Sequence, residues 1–158
     1  MKTIKNIAVI AFDSKKTDLI EWSYFNRETL TPHQIFASGF AGHILEGTLN
    51  KKVNIIDAVS FNGYRELCNF VYNNQIDAII IFGDADQIFE TKELNAVLKA
   101  AAAQNLAVAV NRTTADFIIQ SSLMGIEYIP HNTSSQKTLG VKQVLSTGTE
   151  QFSLAKAS

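Results

Sequence analysis

The sequence predicts an α/β fold: a doubly wound, mostly parallel five-stranded sheet flanked by helices in a Rossmann-type three-layer arrangement. Three observations carry this expectation. Five short apolar runs, rich in β-branched residues, recur at 6–12, 33–37, 51–56, 77–82 and 106–110. A segment with apolar residues at helical spacing follows each run. The breaks between run and helix carry Asp, Ser, Asn or Thr, the residue types that start helices. Strands alternating with helices at this spacing imply parallel βαβ units with right-handed crossovers.

Taken in order, NIAVIAF (6–12) is the first strand, and Asp13 or Ser14 then caps a helix running to about Tyr24. Residues 26–32 read as a loop and HQIFA (33–37) as the second strand. Ser38 and Gly39 turn the chain into a helix carrying His43, Ile44, Leu45 and Leu49. KKVNII (51–56) is a short edge strand whose lysines discourage edge pairing. A polar loop over 57–63 leads to a helix over 64–73. DAIIIF (77–82) is the most apolar strand and is placed at the centre of the sheet. Residues 83–89 form the next loop. A long helix over 91–104 follows, with Leu94, Val97, Leu98 and Ala101 on one stripe. LAVAV (106–110) is the fifth strand, expected to be buried on both faces. Asn111 and Arg112 break it, and Thr113 or Thr114 caps a helix with Asp116 in its first turn and Phe117, Ile118 and Ile119 in its body. GIEYIP (125–130) is a possible further strand. From His131 on, polar and small residues dominate, so the chain divides into a domain over 1–130 and a tail over 131–158. The one apolar group of the tail, 141–145, is available to pack on the domain or on a neighbour.

A length of 158 residues, 46% of them apolar, suits one domain with a sizeable core. A net charge of −1 and a pI near 6.3 give no electrostatic basis for binding nucleic acid or an anionic membrane surface. No run approaches the ~20 apolar residues of a membrane span. The apolar run at the start is interrupted by Asp13 and reads as a strand, not a signal peptide. The single cysteine, Cys68, excludes an internal disulfide and fits a cytoplasmic protein. It shares a helical face with Tyr64, Leu67 and Val71, as a small core residue does. No cofactor or metal is expected.

In such a sheet the loops after all five strands share one rim, where open α/β folds bind small anions. The rim collects Asp13 and Lys16; Ser38 and Gly39; the loop up to Tyr64; Asp84, Asp86 and Glu90; and Asn111, Arg112, Thr113 and Thr114. Each alone has a plain structural role available, Asp13 as a cap and Lys16 as a solvated lysine. Their convergence points to a pocket for a small anionic metabolite.

The run Asn111-x-x-Thr114-Ala115-Asp116-Phe117-Ile118-Ile119-Gln120-Ser121 resembles a near-identical run in the methylglyoxal synthase family, and the likeness extends over roughly residues 5–122. The resemblance implies a methylglyoxal synthase-like fold, a phosphorylated substrate and assembly into homo-oligomers. Asp13 and Lys16 match the family's aspartate and lysine after the first strand, and Asp84 matches its aspartate after the fourth. The family's phosphate loop T-G-T-T-G is here Ser38-Gly39-Phe40-Ala41-Gly42. The ligand-binding and phosphate-binding candidates are therefore Asp13, Lys16, Ser38, Gly39, Phe40, Ala41, Asp84, Asn111, Thr113 and Thr114.

The family reaction, dihydroxyacetone phosphate to methylglyoxal and phosphate, needs a carboxylate base and groups that hold the enediolate. The resemblance places the family's base at Tyr64, where this chain has a phenol. The family's histidine after the fourth strand has no counterpart between Asp84 and Glu93, and the residue before Asp13, often histidine in the family, is Phe12. Asp84 and Glu93 remain as catalytic candidates. Glu66, Asp86 and Glu90 are possible substitute bases, and His33, His43 and His131 fall outside the rim. Loss of a general base costs about 10²–10⁴-fold. The sequence thus reads as a divergent, binding member of the family with an incomplete lyase apparatus. An active methylglyoxal synthase and a purely structural assembly protein are the alternatives. Phe40, Phe61 and Tyr64 make the pocket more aromatic than a triose-phosphate site, which favours a larger, flatter anion such as a nucleotide or an aromatic acid.

Overall fold

The computed structural model describes residues 3–56 and 61–131, with side chains left out at 61–63. Five strands, β1 (Asn6–Ala11), β2 (Gln34–Ser38), β3 (Asn54–Ile56), β4 (Ala78–Phe82) and β5 (Ala107–Ala109), pair in parallel in the order β3-β2-β1-β4-β5. The helices are α1 (Lys16–Phe25), α2 (Arg27–Leu30), α3 (Gly39–Leu49), α4 (Phe61–Tyr72), α5 (Ala85–Glu90), α6 (Lys92–Ala103) and α7 (Arg112–Gln120).

Side chains alternate across the strands, so each face of the sheet builds its own core. Ile7, Val9, Ile35, Ala37, Ile80 and Phe82 pack against Leu19 and Trp22 of α1, Leu45 and Leu49 of α3, and Ala115 and Ile119 of α7. Ala8, Ile10, Ile79 and Ile81 face the other way, against Leu67 and Val71 of α4, Ile88 of α5, and Leu94, Val97 and Ala101 of α6. This is the expected three-layer α/β architecture, with Leu98 half-buried beside its stripe.

Several local expectations are corrected. The centre of the sheet is β1, not the 77–82 strand; β4 is nonetheless buried throughout, because helices cover both of its faces and β1 and β5 flank it. The 106–110 run lies at an edge, with Ala107 exposed and only Ala109 fully buried, so its apolarity did not mark burial on both faces. Asp13 and Ser14 do not cap a helix: Asp13–Lys15 forms a 3-10 turn that runs into α1 without a side-chain cap. The 26–32 and 83–89 loops contain the short helices α2 and α5. The fourth helix begins at Phe61, earlier than its apolar spacing suggested.

The edge strand is confined to Asn54–Ile56, because Lys51 instead donates to the carbonyls of Thr31 (2.8 Å) and His33 (2.5 Å). Residues 125–130 form no strand with the described residues; a 3-10 turn at Ser122–Gly125 is followed by irregular chain. Phe117 is 75% exposed. Three successive apolar residues on a helix are each turned by ~100°, so they cannot all face the core. Residues 57–60 of the third rim loop and 132–158 of the tail lie outside the described residues.

Candidate functional site

Helix α1 leaves β1 over one face of the sheet, whereas α5 and α6 leave β4 over the other. The carboxyl ends of these two adjacent strands are therefore the topological switch point, where open α/β sheets form their ligand crevice. Here the two loops are tied together. Ser14 Oγ donates to Asp84 Oδ2 (3.2 Å) and lies 3.0 Å from Gln87 Oε1, and Lys15 Nζ pairs with Asp84 Oδ1 at 3.3 Å. Gln87 in turn accepts from the Asp84 backbone N–H at 2.9 Å, as an N3 residue does in a capping box. Both oxygens of Asp84 are thus engaged. The glycine before it, Gly83, has a close neighbour: a Cβ there would lie 2.7 Å from the Phe12 ring and 3.1 Å from Ile88 Cγ1. Phe12, at the position where the resemblance expects an imidazole, is half-buried in the second core instead.

The neighbouring rim pieces are more open. Asp13 and Lys16 are exposed, and neither side chain has a hydrogen-bond or ion-pair partner among the described residues. Ser38 ends β2 in extended geometry and α3 starts at Gly39, directing the free N–H groups of its first turn to the rim. A Cβ at Gly39 would meet nothing within 4 Å among the described residues. Phe40 is half-buried beside it, and Ala41 is fully buried in the core, which leaves only its backbone to face a ligand.

On the far side, Asn111 and not either threonine caps α7. Its Oδ1 accepts from the Thr114 N–H (2.9 Å) and hydroxyl (3.0 Å). Thr113 remains exposed, and Arg112 pairs with Glu21 of α1 at 3.3 Å. Asp116 accepts from the buried Trp22 indole N–H at 3.0 Å, which fastens α7 to α1 below the rim.

Tyr64 lies on α4, half-buried. It lines a small gap against Ser38, Ile56 and Leu67 on one side and a groove with Glu93 and Lys92 of α6 on the other. Burial pushes the phenol above its ordinary pKa of 10.0, and the negative charge of Glu93 pushes it further. The group is therefore protonated at neutral pH, a hydrogen-bond donor and not a base. Glu93 is half-buried in the first turn of α6, whereas Glu66, Asp86 and Glu90 are exposed on their helices. His33 is buried at the opposite edge, its Nδ1 accepting from the Lys5 N–H at 3.0 Å, and His43 and His131 are exposed.

The described rim thus brings Lys15, Lys16 and the first turn of α3 together with several carboxylates, of which Asp84 is paired, Glu93 is half-buried and Asp13, Asp86 and Glu90 are exposed. Reading the sequence missed Ser14, Lys15 and Gln87. Adjacent lysines at 15 and 16 carry no signal of which one turns towards Asp84, and the Asp84-x-x-Gln87 capping spacing was the one available sign of α5.

No protein-family model matches the chain. It is 34% identical over 129 residues to the methylglyoxal synthase of Coxiella burnetii (strain RSA 493 / Nine Mile phase I), covering 81% of this chain and 90% of that protein. It is 32% identical over 148 residues to that of Oleidesulfovibrio alaskensis (strain ATCC BAA-1058 / DSM 17464 / G20), covering 90% of this chain and 100% of the relative. The crystal structure of methylglyoxal synthase from Elizabethkingia anophelis NUHP1 superposes with a TM-score of 0.71 at 30% identity, over 80% of this chain and 86% of that one. With this fold, this rim and relatives of that identity over most of its length, the chain belongs to the methylglyoxal synthase family.

Proposed function

We propose that this protein binds a small phosphorylated anion at the carboxyl rim and has lost efficient lyase chemistry. The observation that carries the proposal is Tyr64: the position that the family likeness assigns to the general base holds a phenol whose environment keeps it protonated. Of the two other family carboxylates on the described rim, Asp84 is held by Ser14 and Lys15, the arrangement of a bracing group, and Asp13 is exposed to solvent. Anion binding is supported by the first turn of α3, where a Cβ at Gly39 would meet none of the described residues, and by Lys16, whose side chain has no partner among them.

The test measures melting temperature and phosphate release together. Dihydroxyacetone phosphate, a nucleoside monophosphate and an aromatic acid are each added to the purified protein. A bound anion at about 100 times its Kd adds about 2.7 kcal/mol, which raises Tm by roughly 5–10 °C. Phosphate release from dihydroxyacetone phosphate is expected to fall about 10²–10⁴-fold below that of a family member with its base in place. Steady turnover abolished by neutralising Glu66, Asp86, Glu90 or Glu93 would establish a relocated base and overturn the proposal. No thermal response to any anion would leave the structural-protein reading.

A further inference from the structure

At the amino edge of the sheet, on the opposite side from the rim, a cavity of about 350 Å³ lies beside the edge strand β5. Its walls are mainly apolar, with Leu106 ahead of β5, Ile118 of α7, and Leu123, Met124 and Tyr128 of the segment that follows. That volume falls in the range of small-molecule sites, ~300–1,000 Å³, which combine apolar walls with a few polar groups.

One of the polar groups here is Lys5. It is only 5% exposed, and its ammonium has no hydrogen-bond or ion-pair partner among the described residues. The backbone on either side is fixed, the Lys5 N–H donating to His33 Nδ1 at 3.0 Å and its carbonyl accepting from the Gln34 N–H at 2.9 Å. A buried ammonium without a counter-charge is costly, and proteins pair such groups or leave them for a ligand. The one carboxylate at the cavity, Asp77, is exposed and turned to other work: its Oδ2 accepts from the Asn6 N–H at 2.7 Å. Ser121 supplies a second donor, since its oxygen accepts from the Leu123 N–H (3.2 Å) while its own proton is uncommitted.

We propose that this cavity binds a small monocarboxylate with an apolar body, its carboxylate seated on Lys5 and Ser121. One cation and one hydroxyl match a single negative charge, whereas a phosphate dianion carries two against the one cation of these walls. The apolar side chains take up an aromatic ring or a short alkyl chain. The site is separate from the rim, so its occupancy does not depend on what the rim binds.

Titration calorimetry with benzoate and hexanoate as probes tests this, with benzyl alcohol as the uncharged isostere and inorganic phosphate as the competing anion. Saturable carboxylate binding with a Kd below about 1 mM is expected, at least about tenfold tighter than benzyl alcohol or phosphate. Lys5→Met keeps the apolar stem and is expected to weaken benzoate at least about tenfold. Ala107→Trp, which fills the mouth of the cavity from an exposed position and leaves Lys5 intact, is expected to do the same, so the test stands even if Lys5→Met fails to fold. Saturating dihydroxyacetone phosphate is expected to leave the benzoate isotherm unchanged. No saturable binding up to about 20 mM, unchanged affinity in both variants, or phosphate binding as tightly as benzoate would each overturn the proposal.

Discussion

Replacing Trp22 with Phe tests how the rim helices are held in place. Trp22 is fully buried, and its ring lies 5.2 Å from that of Phe82, the last residue of β4, at an interplanar angle of 56°. Its indole N–H donates to Asp116 at 3.0 Å, and Asn26, which donates to the Trp22 carbonyl at 2.9 Å, lies 3.4 Å from the same Asp116 oxygen. Phenylalanine removes roughly 40 Å³ of side chain, which at about 24 cal/mol per Å³ costs about 1 kcal/mol. Loss of a hydrogen bond to a carboxylate adds ~1.5–3 kcal/mol, towards the lower end here because Asp116 is only half-buried and regains water. The sum is about 2–4 kcal/mol, a fall in Tm of roughly 5–12 °C for a chain of this size. Thermal unfolding followed by far-ultraviolet circular dichroism measures it, since the variant lacks the only tryptophan. A cycle with Asp116→Ala isolates the pair, with an expected coupling of ~1–2 kcal/mol. A loss in Trp22→Phe below about 1 kcal/mol, or a coupling near zero, would refute the idea that this bond fastens α7 to α1.

Further outcomes follow from the same geometry. Tyr64, raised by burial and by Glu93, is expected to be the last phenol to ionise in an alkaline absorbance titration, and Tyr64→Phe is expected to remove that last phase. Because its folded pKa lies above the unfolded value of 10.0, its contribution to stability is complete below that pH and is lost as the pH rises through the folded value. Tyr64→Phe should therefore unfold less steeply with alkali, and an identical alkaline profile would contradict the assignment. Burial also pushes the Cys68 thiol up from 9.0, so its reaction with a disulfide reagent near pH 8 should run slower than that of an unfolded control; an equal rate would count against it. Gly83→Ala drives a methyl into the Phe12 ring and is expected to lower the urea midpoint by the equivalent of ~1–3 kcal/mol, with Phe12→Ala restoring part of the loss.

The layer architecture was legible because the strands alternate faces and the helices that cover them carry apolar stripes, as in the Leu94–Val97–Ala101 face of α6. Helix starts and stops were read less well. Asn111 outcompeted two neighbouring threonines for the α7 cap, since an Asx side chain three residues before Thr114 reaches the Thr114 N–H. The chain turns at Asn50, Asn74 and Asn105, all with positive φ, through asparagines in place of the glycines that usually announce a helix end. Strand centrality was misjudged because apolar content reports burial on two faces, which β4 has beside β1 as fully as it would at the centre. On the rim, the residue types were readable but their pairing was not: nothing in the order Ser14-Lys15-Lys16 tells which side chain turns across the crevice.

That pairing bears on what the rim can do. A carboxylate that matches a family position by identity has different chemistry once its oxygens are occupied, and Asp84 carries a hydroxyl on one and an ammonium on the other. Each oxygen keeps a second lone pair, so these contacts do not remove Asp84 as an acceptor, but they fix its orientation across the crevice while they hold. The Lys15–Asp84 pair is about half exposed, and such pairs are worth ~0–1 kcal/mol. An incoming phosphate, with two negative charges to offer, can therefore draw Lys15 away from Asp84 at little cost and gain a cation beside Lys16. The freed Asp84 would then face a phosphate dianion across the same crevice, and like charges repel the ligand as readily as they activate the carboxylate. On the proposed reading, the weak clasp at the switch point opens readily for an incoming anion, and the charge repulsion that follows disfavours proton abstraction by Asp84.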